Sequence, residues 1–411
     1  MKQKLDRHKL SNGLVLLGER MEAVESVAFG FMLPVGASVM PAGCCGAANV
    51  IADWIFRGAG QRDNRQLGDA LDGLGLRRSG GGVDSANISI GAALEASNLA
   101  AAIDLYGDII LNPKLEDEQF IPARQLAIEE VKGLDDDPGH KVMLKLREQF
   151  YPEPLGRSTA GEIADLESLT PETTKKIIAE RFNPAEMIFS VAGKYDFDAV
   201  VRQVEKIFGA KTGKRFRSLK TGAAGGRYKH IPNDGAQVHI GLMTPTVAVQ
   251  DKNYYNARIA VAVLSGGMGA RLFTEVREKR GLCYAVGAQY HAMKESAGIA
   301  CYTGTTPDKA QQAYDVIVTE FNRLAEGISE DELGRAKAGL KSSLIMQSES
   351  SSSRAGSIAG DYYMLGKVRS LDEIKKAIDK TSVDSVLTFL RENRFRDFTV
   401  VTIGPKEVKV G

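Results

Sequence analysis

The sequence contains no long apolar run. Its apolar stretches, such as Leu99–Ile103 and Ile259–Leu264, are far shorter than the roughly 18 residues that a membrane-spanning helix needs. The amino-terminal segment Met1–His8 is charged and lacks the apolar stretch and the small-residue cleavage site of a secretory signal. We therefore expect a cytoplasmic protein with no membrane contact, or a periplasmic one if a leader has been removed.

Cysteine is scarce. The four cysteines are Cys44, Cys45, Cys283 and Cys301. They form no Cys-x-x-Cys pair, so a structural zinc site is not predicted. The adjacent pair Cys44 and Cys45 rarely makes a useful crosslink. We interpret all four as small, reduced, apolar side chains.

Histidine is also scarce and widely spaced. The five histidines are His8, His140, His230, His239 and His291. No two of them lie three or four positions apart, so no helix presents two imidazoles on one face. The chain alone therefore offers no histidine site for zinc, and we expect it to hold no metal. His239 lies in an alternating strand and is interpreted as a core or sheet-face residue.

An excess of charge of one sign is absent as well. Lys and Arg number 53 and Asp and Glu 52, which gives a formal net charge of +1 and argues against a general nucleic-acid binder. Hydrophobic residues make up 43% and charged residues 26% of the chain, as in ordinary soluble proteins. Its 411 residues are enough for two or three domains.

The chain repeats itself at a constant offset of 211 residues. The segment Val27–Pro34 matches Val238–Pro245, with a glycine, a methionine and a proline at equivalent positions. Further along, Ala102, Asp104 and Ile110 fall on Ala313, Asp315 and Phe321. The period is too long for a solenoid and indicates a duplicated domain.

A basic, glycine-rich segment separates the two halves. Residues 211–229, KTGKRFRSLKTGAAGGRYK, contain seven basic and no acidic residues. The segment fits an interdomain linker between domains 1–210 and 230–411. The alternative is a basic arm that binds an anionic partner.

Each half has the same order of predicted elements. Alternating strands are followed by an amphipathic helix, a second strand pair and a long helix. The amphipathic helices are Gly46–Phe56 and Tyr254–Leu264, and the long ones are Ser97–Leu111 and Pro307–Ala325. Strands and helices do not alternate strictly, which favours an α+β class with helices on one face of a largely antiparallel sheet.

Several short stretches together carry a resemblance to a known family. They are Leu10–Leu14 (LSNGL), Phe56–Gly58 (FRG), Ile109–Pro113 (IILNP), Glu129–Val131 with Asp135–Pro138, and Gly266–Tyr284 (GGMGARLFTEVREKRGLCY). The chain resembles the insulinase/pitrilysin family of zinc peptidases, which includes the mitochondrial processing peptidase and small bacterial peptidases. The resemblance implies two homologous α+β domains in a clamshell, the fold of processing peptidases and LuxS-like metallohydrolases.

The resemblance also locates a degenerate zinc motif. In the family the first helix carries His-x-x-Glu-His, in which two imidazoles bind zinc and the glutamate activates a water. Asn49, Ala52 and Asp53 stand at those three positions, and Glu130, 77 residues after Asp53, matches the third zinc ligand. Oxygen-only ligands do not favour Zn²⁺, and Ala52 cannot accept a proton. Glu130 could equally be an exposed helix carboxylate.

The second half keeps the family's other functional pair. Arg277 and Tyr284 match an arginine and a tyrosine that reach the substrate from the carboxyl-terminal domain of family members. A guanidinium and a phenol can hold a substrate carbonyl and stabilise the oxyanion that forms there. The alternative is a solvent-facing Arg277 paired with Glu275 or Glu278, beside a tyrosine favoured by the strand.

These assignments predict a zinc-lacking subunit of a two-chain zinc peptidase, inactive by itself. A homologous partner would carry zinc and His-x-x-Glu-His, and this chain would supply Arg277, Tyr284 and half of the chamber wall for an unfolded peptide. Peptide could add as a strand to a sheet edge. Two alternatives remain: a structural scaffold similar to the core proteins that resemble processing peptidase subunits, and a homodimeric peptide-binding module.

Overall fold

The computed structural model describes residues 3–214, 216 and 219–410. Its strands are β1 (Lys4–Lys9), β2 (Val15–Arg20), β3 (Ser26–Leu33), β4 (Gly58–Ala59), β5 (Arg62–Asp63), β6 (Arg77–Val83), β7 (Ile88–Glu95), β8 (Ile188–Gly193), β9 (Tyr228–Pro232), β10 (Val238–Thr246), β11 (Ala285–Ala292), β12 (Ala297–Thr305) and β13 (Thr399–Gly404).

The α-helices are α1 (Ala47–Trp54), α2 (Asn64–Gly73), α3 (Leu99–Leu111), α4 (Asp117–Gly133), α5 (Pro138–Phe150), α6 (Ile163–Ser168), α7 (Pro171–Arg181), α8 (Phe197–Phe208), α9 (Tyr254–Ser265), α10 (Ala310–Arg323), α11 (Glu330–Ser348), α12 (Ser351–Leu365), α13 (Leu371–Lys380) and α14 (Val383–Glu392). A π-helix spans Phe273–Glu278, and short 3-10 turns span Ala37–Val39, Ala96–Asn98 and Pro184–Glu186. None of the described helices is long and apolar enough to cross a membrane.

Side-chain caps fix where several helices begin. The Asp63 side chain accepts a hydrogen bond from the backbone N–H of Gln66, and the backbone N–H of Asp63 donates to Gln66 Oε1, which forms a capping box at the start of α2. Thr170 caps α7 just before Pro171. Ser350 caps α12 in the serine-rich stretch. Each cap satisfies a backbone donor that would otherwise lack a partner.

Packing divides the chain into two units. Unit 1 consists of Met1–Gly133, Glu153–Gly222 and Gln347–Val368. Unit 2 consists of Leu134–Pro152, Ala223–Met346 and Arg369–Gly411. The domain boundaries predicted from the sequence repeat, 1–210 and 230–411, differ from these packing units and stay a prediction. Each half of the sequence contributes one segment to the packing unit formed mainly by the other half.

Each unit is built on one mixed, largely antiparallel sheet. The sheet of unit 1 has the order β1-β2-β8-β3-β7-β6, and the sheet of unit 2 has the order β11-β12-β10-β13-β9. In each sheet only one pair is parallel, β2 with β8 and β13 with β9. The series β6-β7-β3-β8-β2 therefore has the same order and strand directions as β11-β12-β10-β13-β9. The predicted α+β class with two similar domains is confirmed.

One helix from each half covers the second face of the other half's sheet. Helix α12 packs on β2, β3 and β8, and helix α5 packs on β10, β12 and β13. On β2, Leu16 faces the main core, whereas Val15 and Leu17 pack with Ile358 and Ala359 of α12. Successive side chains of a strand point to opposite faces of the sheet, so both faces are buried here.

A buried ion pair fixes α12 on this face. Arg354 Nε and Nη2 both donate to Glu19 Oε2, at 2.9 and 2.7 Å. The two residues are only 3% and 4% exposed. Removing either residue would leave a buried charge without a counter-charge, which is strongly destabilising.

Candidate functional site

Helix α1 carries the residues at the three degenerate motif positions. Its N-cap, Gly46, has φ of 101°, which favours glycine, and a Cβ there would approach Leu166 and Gly161 at 2.9 and 3.0 Å. The Asn49 side-chain nitrogen donates to the backbone carbonyls of Thr159 and Ala160, at 2.8 and 3.0 Å. The amide of Asn49 is therefore used to hold the loop that precedes α6.

Ala52 lies directly beneath the edge strand β6. Ala52 is 8% exposed, and a Cβ built on Gly81 would come within 2.9 Å of the Ala52 Cβ. Real Cβ atoms essentially never approach this closely, so the close contact between β6 and α1 at Ala52 depends on glycine at position 81.

Asp53 forms an ion pair with an arginine that lies just after α1. Arg57, four residues later, donates from Nε to Asp53 Oδ2. The guanidinium neutralises the carboxylate, which is therefore a poor ligand for a metal ion. Glu130 lies on α4 and is exposed.

A cavity of about 400 Å³ in unit 1 joins all four positions. Its lining residues are Asn49, Ala52, Asp53, Phe56, Arg78, Gly81, Tyr106, Ala123, Leu126, Ala127 and Glu130. Arg78 and Tyr106 were not expected here from the sequence. Within the described part of the chain, no group of three or more His, Cys, Asp or Glu side chains could hold a metal ion. The described lining of the cavity includes the carboxylates of Asp53 and Glu130 but no imidazole or thiolate.

Arg277 and Tyr284 lie in unit 2, on either side of a tight turn. Arg277 is in the last turn of the π-helix, Gly281 follows with φ of 55°, and Tyr284 immediately precedes β11. The sequence indicated this order but not that the helix is of the π type. π-helical turns are rare and occur often at functional sites.

Two aromatic rings hold the guanidinium of Arg277. Its Cζ lies 4.8 Å from the ring centroid of Phe273 and 5.0 Å from that of Tyr284. Stacking between rings fixes the plane of a guanidinium while leaving its N–H donors free. Tyr284 is 83% exposed. The pair thus presents its donors to solvent in a fixed arrangement.

The acidic neighbours of Arg277 do not neutralise it. Glu275 pairs with Lys279 and Arg280, both at 2.6 Å. Hydrogen bonds from these two side chains lower the pKa of Glu275 below its usual value. Across the described ranges, no carboxylate forms an ion pair with Arg277. The alternative pairing of Arg277 with Glu275 or Glu278 is therefore not seen.

The segment that carries Arg277 is anchored at its start. Arg271 donates from Nε and Nη2 to the two carboxylate oxygens of Glu332, at 2.6 and 3.0 Å, and from Nη2 to the carbonyl of Gly327 at 2.7 Å. The hydrogen bonds from Arg271 lower the pKa of Glu332 to about 2. This bidentate pair fixes the helical segment against the start of α11.

Arg277 also borders an open groove of about 740 Å³ in unit 2. The groove is lined by Asp137, Gly139, Met143, Phe273, Arg277, Ala285, Val286, Gly287, Ala288, Gln289, Ala300 and Tyr302. The Tyr302 hydroxyl lies 2.9 Å from Nδ1 of His239, which occupies a sheet face as predicted. The sequence does not predict that Asp137 and Tyr302 line the same groove as Arg277, because Asp137 comes from the start of α5, in the other half of the sequence.

The sequence matches a family model and several zinc proteases of unassigned role. The model described as peptidase M16 inactive domain matches residues 168–340. An uncharacterized zinc protease of Rickettsia felis is 27% identical over 412 residues, which cover all of both chains.

Two solved structures have a similar fold. A peptidase M16 inactive domain from Pseudomonas fluorescens is 17% identical with a TM-score of 0.88, covering 99% of each chain. A chain of Complex III2 from Candida albicans is 19% identical with a TM-score of 0.86, covering 99% of this chain and 98% of its own. These likenesses extend over the whole chain, including the half that carries Asn49, Ala52 and Asp53.

Proposed function

Because this chain belongs to the insulinase/pitrilysin family of zinc peptidases, we propose that it is a subunit that holds no zinc and works with a homologous zinc-bearing chain. The match of residues 168–340 to the model described as peptidase M16 inactive domain supports this proposal. One observation carries the proposal: all four zinc-motif positions meet in one cavity, yet they supply an amide, a methyl group, a neutralised carboxylate and one exposed glutamate.

Arg277 and Tyr284 are the groups that this chain would contribute to peptide cleavage. A zinc ion in the partner would polarise the scissile carbonyl and activate a water. The Tyr284 hydroxyl and the Arg277 guanidinium would donate hydrogen bonds to the carbonyl oxygen as it gains negative charge. Their exposure and the stacked guanidinium support this role, because donors that are already oriented need no reorganisation during the reaction.

The substrate in this proposal is an unfolded peptide. Both sheets have an edge strand beside a candidate site: β6 borders the unit 1 cavity and β11 borders the unit 2 groove. An extended peptide can add to such an edge through main-chain hydrogen bonds, which carry little sequence preference. Each edge strand contains glycine, which leaves space for an incoming backbone.

The test combines this chain with a homologue that has His-x-x-Glu-His. We expect the two to co-purify, and the mixture to cleave an unfolded peptide that neither chain cleaves alone. Tyr284→Phe and Arg277→Met should each lower kcat by roughly 10²-fold with a smaller change in KM, because they remove transition-state donors. The exposed Arg391→Met should leave kcat unchanged. Unchanged turnover in Tyr284→Phe, or cleavage by this chain alone, would contradict the proposal.

A scaffold role is the second candidate. The similar chain in Complex III2 is the observation that favours it, since that protein is part of an assembly. On this alternative Arg277 and Tyr284 are inherited residues without a task. Co-purification with a large assembly, together with wild-type assembly levels in the Arg277→Met variant, would support it over the peptidase subunit.

A further inference from the structure

Strand β11 forms an edge of the unit 2 sheet. Among the described residues it has a neighbouring strand on one side only, β12, with which it pairs antiparallel from Ala285 to Ala292. In such a pair one residue exchanges both of its backbone hydrogen bonds with the partner strand, and the next points its N–H and C=O away from it. Every second residue of β11 therefore presents its backbone groups at the open edge.

Two hydrogen bonds show which residues of β11 face this edge. The backbone N–H of Ala288 donates to Oγ of Ser265, the last residue of α9, at 2.8 Å. The carbonyl of Ala285 accepts a hydrogen bond from Oγ1 of Thr303, on β12, at 3.0 Å. The backbone of Ala285 is thus directed towards β12 and that of Ala288 away from it. By the same alternation, the backbone groups of Val286 also point to the open edge.

The hydroxyl of Ser265 closes the edge at Ala288. Strands pair through N–H···O=C hydrogen bonds with the nitrogen and oxygen about 2.9 Å apart, and the Ser265 oxygen lies 2.8 Å from the Ala288 nitrogen. Ser265 is half-buried, and a Cβ built on the adjacent Gly287 would lie 3.4 Å from the same oxygen. The side chain therefore occupies the place where the carbonyl oxygen of an added strand, parallel or antiparallel, would lie.

The edge stays open between Ser265 and the Arg277–Tyr284 pair. In the portions of the chain that the structure describes, no side chain accepts a hydrogen bond from the N–H of Val286. The groove that Arg277 borders follows β11 from residue 285 to residue 289. Tyr284 lies four residues before Ala288, which is about 13 Å at the usual strand rise. The open part of the edge is therefore short and begins at Tyr284.

We propose that Ser265 is a positioning residue that confines an added peptide strand to the part of β11 beside Tyr284. The inference rests on the proposed binding of an unfolded peptide at this edge. The peptide exchanges backbone hydrogen bonds with Val286 and its pairing stops at Ala288. Its bound segment then lies next to the two groups that would hold the scissile carbonyl. The same contact shields the middle of the edge from unwanted strand pairing with other chains.

Amide hydrogen exchange, followed by NMR of the full-length protein with ¹⁵N-labelled valine and alanine, tests the proposal. The probe is an acetylated and amidated hexapeptide of alternating threonine and valine, and its control is the same peptide with every backbone nitrogen methylated. In the wild type the probe should slow exchange of the Val286 amide and leave Ala288 unchanged. The methylated peptide should have no effect, because it lacks the backbone donors that strand pairing needs.

Two variants make the result specific to the hydroxyl of Ser265. Without peptide, Ser265→Ala should speed exchange of the Ala288 amide about tenfold, because its acceptor is gone. With the probe, this variant should show slowed exchange at both Val286 and Ala288 and bind about fivefold more tightly through the added hydrogen bond. Ser265→Thr keeps the hydroxyl and should behave as the wild type. Unchanged exchange of the buried Val263 amide, in α9, shows that each variant is folded.

The outcomes separate this inference from the proposed function. If the probe slows exchange at Val286 but binds the wild type and Ser265→Ala equally well, strand addition stands and the role of Ser265 is overturned. If the probe changes exchange at Val286 in neither protein, strand addition at this edge is overturned together with it.

Discussion

At the residue scale, the pair of Arg271 and Glu332 determines how firmly the Arg277 segment is held. Two parallel N–H···O hydrogen bonds give the pair both strength and direction. The guanidinium also binds the carbonyl of Gly327, so Arg271 is held both by α11 and by the loop that precedes it. The pKa of Glu332, lowered to about 2, measures how strongly the folded state prefers the charged carboxylate.

The stability supplied by Glu332 depends on pH in a defined window. Because its folded pKa lies below the unfolded value, its contribution is complete above about pH 4.5 and is lost as the pH falls towards 2. Glu332→Gln should lower the free energy of unfolding by about 1 to 2 kcal/mol at pH 7, after allowance for solvent screening. Urea unfolding should show this difference shrinking near pH 2. The exposed Glu407→Gln serves as control; a difference that persists at low pH would contradict the assignment.

At the element scale, the close approach of β6 to α1 depends on the glycine at position 81. Gly81→Ala and Gly82→Ala form a matched pair, because a Cβ on Gly81 meets Ala52 at 2.9 Å, whereas one on Gly82 meets nothing within 4 Å. We expect Gly81→Ala to reduce the free energy of unfolding by about 1 to 2 kcal/mol through overpacking.

Gly82→Ala should be neutral or slightly stabilising, since it only restricts the unfolded chain. Thermal and urea unfolding of the two variants measure the difference. Equal effects of the two substitutions would mean that β6 moves freely away from α1.

The sequence predicted most single elements but not how they pair. The alternating patterns predicted the central strands β3 and β10 and the helices α1 and α9 within a few residues. The exchange of α5 and α12 could not be predicted, because an amphipathic pattern tells which helix face is buried but not which sheet buries it. The π-type turn before Arg277 was missed for a similar reason, since one inserted residue leaves the apolar spacing almost unchanged.

At the scale of the whole molecule, duplication has produced two sheets of the same strand order with different sites. The position of Asn49, Ala52, Asp53 and Glu130 in one cavity followed from the family motif. The lining of the groove at Arg277 did not, because Asp137, Gly139 and Met143 reach it from a segment that belongs to the other half of the sequence. The roles of Arg277 and Tyr284 stay a prediction until the two-chain mixture is assayed.

Zinc should be needed only by the partner. We expect elemental analysis of this chain to find no stoichiometric zinc, because its motif cavity contains no nitrogen ligand. A chelator should abolish cleavage by the two-chain mixture, and added zinc should restore it. The melting temperature of this chain alone should not change with the chelator. A chelator-dependent loss of its stability would reveal a structural metal and contradict the expectation.

The exchange of helices has a consequence for dissection of the molecule. A proteolytic nick within residues 211–229 would not release two autonomous domains, because the amino-terminal fragment keeps α5, which packs in unit 2, and the carboxyl-terminal fragment keeps α12, which packs in unit 1. Either fragment expressed separately would expose an uncovered sheet face, and native packing would require fragment complementation.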